Sequence, residues 1–162
     1  MKSTKFLVQA AVIGAIYAVL TIAFAPISFG HNIFQFRIAE ALTILPAFTP
    51  SAIPGLFVGC IVANMIGGFG PIDIVFGSLA TLAAAYLSYR LKSKKILIPL
   101  PPVILNALIV GTYLYYIYIS TQNIPTSLIA VIGWVALGQL GACYGLGYPL
   151  MLVLERYKRI FQ

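Results

Sequence analysis

Few side chains in this sequence have the chemistry to act on a ligand, and their spacing says how they could combine. Arg37 and Glu40 are three apart, so a helix presents them on one face. They read either as an ion pair steadying a short helix or as a ligand contact. Asp73 follows a Gly-Pro turn. There a carboxylate can cap the helix that begins or meet a ligand under a glycine-rich loop. Asn64, Asn106 and Gln139 are isolated amides in apolar runs, suited to interhelical hydrogen bonds or to a polar ligand. Trp134 and the tyrosines Tyr113, Tyr115, Tyr116 and Tyr118 form either an interfacial belt or the walls of a site for a flat ring. G-x-S-x-G, H-E-x-x-H and G-x-x-x-x-G-K-[ST] are all absent, so this chain has no Walker route to ATP. His31 is a lone loop histidine, and Cys60 and Cys143 lie in apolar stretches, so no metal site and no disulfide is expected. With 3 acidic residues there is little material for a catalytic dyad or proton relay, and an enzyme is not expected.

The elements that hold these groups must be apolar. Of 162 residues 61% are hydrophobic and 8% charged, against roughly 25% charged in soluble domains. That composition excludes a soluble enzyme, a DNA-binding domain and a disordered tail. It fits an all-α integral membrane protein forming a single membrane-embedded domain over residues 1–162. A span takes about 20 residues, so six take roughly 120 and leave little beyond loops. The net charge is +7, and nine of the ten basic residues fall in three clusters: Lys2 and Lys5; Arg90, Lys92, Lys94 and Lys95; Arg156, Lys158 and Arg159. Such clusters mark cytoplasmic flanks rather than a nucleic-acid surface. Only Arg37 stands outside them.

Span 1 covers residues 5–25, ends at Pro26, and is too long for a signal peptide. A loop at 27–36 carries Gly30, His31, Asn32 and Gln35. The stretch that follows is broken by Pro46, Pro50 and Pro54. Reading it as a hairpin, with α-helices at 38–48 and 51–66, puts all three basic clusters on one side. Helix 4 is expected at 72–91, helix 5 from Pro99, Pro101 and Pro102 to 120, and helix 6 from 127 to 157. The result is six spans with both termini cytoplasmic. Small residues four apart recur at Ala11 and Ala15, Gly14 and Ala18, Gly55 and Gly59, and Gly141 and Gly145. Such stripes serve close helix packing or docking of another membrane protein.

The run Phe36-Arg37-Ile38-Ala39-Glu40-Ala41-Leu42-Thr43, continuing to Leu45-Pro46, resembles the signature of the QueT family. The likeness continues through Ile53-Pro54-Gly55-Leu56-Phe57-Val58-Gly59-Cys60, then Asn64, then Asp73 with Gly77 and Thr81. It covers nearly the whole chain and is strongest from Gln35 to Ala85.

The resemblance implies a six-helix S component of an energy-coupling factor (ECF) transporter in a prokaryotic cell membrane. Such a subunit binds substrate from outside and docks on a transmembrane coupling subunit driven by two ATPase subunits. ATP then belongs to the partners, with no cofactor in this chain. Ala11 and Ala15 match the family's alanine stripe that contacts the coupling subunit. The implied substrate is a queuosine precursor, 7-aminomethyl-7-deazaguanine or a close relative. A carboxylate suits its N–H edge or its ammonium, and a ring suits its flat face. Asp73 and Glu40 are expected to share the first two tasks, with Asn64 or Asn106 on the carbonyl edge and Trp134 or Tyr113 stacking. Arg37 and Gln139 complete the candidate set. The alternatives are an S component for another vitamin or nucleobase, and a stand-alone small-molecule transporter.

Overall fold

The protein is described by a computed structural model. It covers residues 2–28, 36–67, 70–121 and 124–157, without the side chains of Lys2 and Tyr118. Gly30, His31, Asn32, Gln35, Lys158 and Arg159 lie outside the described residues.

Helix α1 runs Lys2–Ala23 and is apolar all round, as a helix between protein and lipid must be. Its outward side carries Leu7, Val8, Val12, Ile16 and Val19, and its inward side Ile13, Gly14, Tyr17 and Ala18. A short turn of helix, α2 at Ala25–Ser28, takes in Pro26, so the expected stop at that proline falls slightly earlier. Helix α3, Ala52–Gly67, packs along α1 with backbones nearly touching. A Cβ on Gly59 would sit 2.6 Å from the Gly14 carbonyl oxygen, and one on Gly55 2.6 Å from that of Ala10. The glycine pair in α3 is therefore an internal seam. Gly141 and Gly145 make no such crossing. Gly141 faces the Phe36 ring and Gly145 meets open space.

Between α1 and α3 the segment Ile38–Ala47 is a 3₁₀ helix, not the α-helix its apolar pattern predicts. Runs of this form longer than three or four residues are uncommon. Two features favour the tighter winding. Pro46 offers no N–H to an α ladder, and the Thr43 hydroxyl donates to the Glu40 carbonyl at 2.6 Å. Every residue from Ala39 to Pro46 is buried, so a slimmer helix also fits its enclosure.

Helix α4, Ser78–Arg90, is entered through a wide π turn at Asp73–Gly77. Helix α5, Leu100–Leu114, starts on the expected prolines and opens into a π turn at Tyr115–Ile119. Helix α6, Leu128–Leu140, is capped by the Ser127 side chain, which accepts from Ala130 N–H at 3.2 Å. It passes through a π turn at Gly141–Gly147 into α7, Tyr148–Arg156. That widening sits just before Pro149, where a straight α ladder would meet a steric clash.

Among the described residues, three helical stretches are long and apolar enough to cross a membrane: Ser3–Ala23, Lys95–Ile117 and Leu128–Arg156. Ile38–Ala47 and Ala52–Gly67 are shorter apolar helices. Lys95 and Glu155 form an ion pair at 2.8 Å, joining the basic turn to the end of α7. Gln9 accepts from the hydroxyls of Thr49 and Ser51, at 3.2 and 3.1 Å, one turn from Lys5. A single apolar cluster links Ile13, Ala52, Ile98 and Met151. The 90–95 run and the end of α7 thus lie together, and the start of α1 lies beside the Thr49–Ser51 turn.

Candidate functional site

The polar side chains collect inside the bundle. At one side of the collection stands Asp73. Arg37 donates to its carboxylate oxygens from 3.3 and 3.5 Å, across 36 residues of sequence. The Tyr113 hydroxyl, from α5, donates to the same carboxylate. The Asn64 amide of α3 donates to the Asp73 main-chain carbonyl at 2.9 Å. Arg37 is 2% exposed and Asp73 5%, so the pair works with little screening. The close approach at Gly77 is part of the design. A Cβ there would lie 2.9 Å from Asp73 Oδ1 and 3.2 Å from Asn64 Nδ2.

Of the two readings of Arg37 and Glu40, the ion pair between them does not form. Arg37 precedes the helix in extended backbone, so the i,i+3 face does not form, and its guanidinium reaches Asp73 instead. The Asp73 carboxylate is engaged by Arg37 and Tyr113, and among the described residues it caps no N–H of its own helix.

Glu40 occupies the other side. Tyr17 of α1 donates to its Oε1 at 2.6 Å. Its second oxygen, Oε2, is buried without a hydrogen bond among the described residues. Asn106 of α5 and Thr81 of α4 lie beside this carboxylate. Thr81 is committed to the Gly77 carbonyl and to Cys60 Sγ, at 3.1 and 3.5 Å. Among the described residues no short hydrogen bond reaches either amide atom of Asn106, which lies close to the Glu40 carboxylate, or Asn64 Oδ1. Around the Glu40 main chain, its carbonyl accepts from Thr43 and, at 3.7 Å, from the Cys143 thiol. Cys143 also reaches Gln139 Oε1 at 3.7 Å. Four polar atoms on Glu40, Asn64 and Asn106 thus stand buried and unsatisfied together. The hydroxyls of Ser28 and Ser78 are unsatisfied elsewhere. Buried polar groups in native proteins are rarely left so without reason.

All three π turns adjoin this cluster. They hold or follow Asp73, Tyr113, and the Gln139–Cys143 pair. A π turn re-aims the side chains beyond it and is frequent at functional sites.

Of the sequence candidates, Arg37, Glu40, Asn64, Asp73, Asn106, Tyr113 and Gln139 come together. Trp134 does not. It is 47% exposed, and the inward side of α6 is taken by Val131, Val135, Gly138 and Gln139. Of the two rings expected to stack, only Tyr113 lies in the cluster. Ala11 and Ala15 face outward on α1, uncovered by the other described residues. Tyr17, Thr43, Cys60, Thr81 and Cys143 belong to the cluster and escape the sequence reading. Tyr17 carries one usable signal, an aromatic hydroxyl in the middle of a span rather than at its interface.

Apolar helices enclosing a polar cluster define a multi-pass membrane protein that keeps hydrogen-bonding capacity in its interior. Comparison with known proteins narrows the class. The profile of the QueT transporter family matches residues 7–156, and the chain belongs to that family. It is a transporter family, not an enzyme family. A relative, "Queuosine precursor transporter QueT" of Lactococcus lactis subsp. cremoris (strain MG1363), is 30% identical over 84 residues. That alignment spans 51% of this chain and 49% of the relative. No solved structure matches.

Proposed function

We propose that this chain is the substrate-binding S component of an ECF-type importer for a queuosine precursor of the 7-deazaguanine class. It spans a prokaryotic plasma membrane six times, with both termini in the cytoplasm. It takes substrate from outside into the cluster around Glu40, Asn64 and Asn106. ATP is hydrolysed by two partner subunits, reached through a transmembrane coupling subunit that docks on the Ala11–Ala15 side of α1.

One observation carries the reading: four unsatisfied polar atoms sit together inside an apolar bundle. Their types suit the substrate named for the relative. The base edge of a 7-deazaguanine supplies N–H donors and a carbonyl acceptor, and its flat face suits Tyr113. Family membership, the contact of the basic turn with the end of α7 and the outward alanines support the rest.

The test is calorimetric titration of the purified protein with 7-aminomethyl-7-deazaguanine, with unrelated vitamins as controls. Saturable, selective heat is the expected result. No heat, with a control vitamin binding, overturns the substrate assignment.

A further inference from the structure

Counting charge in the cluster gives a second result. Among the described residues it contains one guanidinium, Arg37, and two carboxylates, Asp73 and Glu40. Arg37 is joined to Asp73. Glu40 is 0% exposed, and the groups close around it, Tyr17 on Oε1 with Asn106 and Thr81 beside the carboxylate, are all neutral, while Arg37 acts on it only from a distance. The cluster is formally one positive charge short, and the shortfall sits on Glu40.

A buried carboxylate without a counter-charge is costly, and a ligand that supplies the charge gains what the protein lacks. A carboxylate reads a guanine-type edge best with both oxygens, one for each N–H. Here Oε1 already accepts from Tyr17 at 2.6 Å, which leaves one open oxygen. One open oxygen suits a compact ammonium better than a two-pronged edge. The edge has a better reader close by. Asn106 is 0% exposed and offers an unpartnered amide N–H donor and carbonyl acceptor side by side. With neither atom engaged, the amide can turn to the one orientation that complements a carbonyl next to a ring N–H. Asn64 is oriented by its bond to the Asp73 carbonyl and turns a further acceptor, Oδ1, to the exocyclic amine.

We propose that Glu40 is the counter-ion for a primary ammonium on the ligand, that Asn106 reads the base edge, and that the Arg37–Asp73 pair is a fixed part of the wall. The site thereby selects the 7-aminomethyl over the neutral 7-cyano form. This rests on the reading that the cluster binds a 7-deazaguanine.

The experiment measures the affinity of wild type, Glu40→Gln and Asn106→Ala for both forms. Wild type is expected to prefer the amine. Glu40→Gln should weaken the amine about 30-fold, the scale of one charge-assisted hydrogen bond, and the cyano form less than about threefold. Asn106→Ala should weaken both alike. Equal losses for both ligands in Glu40→Gln, or no loss, overturn the assignment while the transport reading stands. Should Glu40→Gln not fold, wild type alone decides. Equal affinity for the two forms sinks the counter-ion role, and preference for the amine upholds it. If wild type binds neither, the proposed function fails and this inference with it.

Discussion

Two carboxylates share one buried cluster, yet their surroundings differ in kind. Asp73 is enclosed by a guanidinium and a tyrosine hydroxyl, with Asn64 held on its main-chain carbonyl. Glu40 has a single hydroxyl and an open oxygen beside an unpartnered amide. Burial is equal to within a few per cent, so exposure does not distinguish them. Compensation does. Where a buried charge is matched by the chain itself, the group holds structure together. Where it is unmatched, the missing partner comes from elsewhere.

The contrast can be broken most sharply at Asp73. Asp73→Leu strips Arg37 of its carboxylate inside the bundle and is expected to destabilise the protein by about 3–5 kcal/mol. Thermal unfolding in detergent reads it, and Arg37→Met added to Asp73→Leu should recover most of the loss. A loss below about 1 kcal/mol in the single variant would mean the pair is not structural.

A smaller disturbance tests the same side through packing. Gly77→Ala places a methyl 2.9 Å from Asp73 Oδ1. The crowding should cost about 1–3 kcal/mol in the same unfolding measurement. If the variant is as stable as wild type, the Asp73–Asn64 contact is looser than the geometry indicates.

At Glu40 the sign should turn. Glu40→Gln removes the unmatched charge while retaining a group for Tyr17 to meet. Ligand-free stability should stay within about 1 kcal/mol of wild type or rise, although binding of an amine ligand falls. A melting temperature depressed as far as that of Asp73→Leu would erase the distinction between the two sides.

Trp134→Phe gives the smallest effect. The ring is half-exposed on α6, so stability should shift by no more than about 0.5 kcal/mol. Affinity should hold within about twofold. A tenfold loss would place the Trp134 ring against the ligand.

Much of the site was legible because charge is so rare in this chain. With 3 acidic residues and one basic residue outside the clusters, Arg37, Glu40 and Asp73 are conspicuous, and the isolated amides nearly so. Tyr17, Thr81 and the two cysteines were not, since hydroxyls and thiols are ordinary in apolar helices. The 3₁₀ winding of Ile38–Ala47 was hidden for another reason. Its apolar pattern fits either helix, and the enclosure by neighbouring elements that favours the slimmer form is not written locally.

The sequence by itself determined the apolar surroundings and the helical class. Those follow from transfer free energies summed along the chain, which depend on composition and short-range spacing. Only the tertiary structure decided which carboxylate Arg37 meets. The partner at three residues' distance lost to one 36 residues away, because the chain at Arg37 is extended and the π turn at Asp73–Gly77 belongs to the packed bundle. That choice leaves Glu40 with its open oxygen, and no pattern of neighbours along the sequence encodes it.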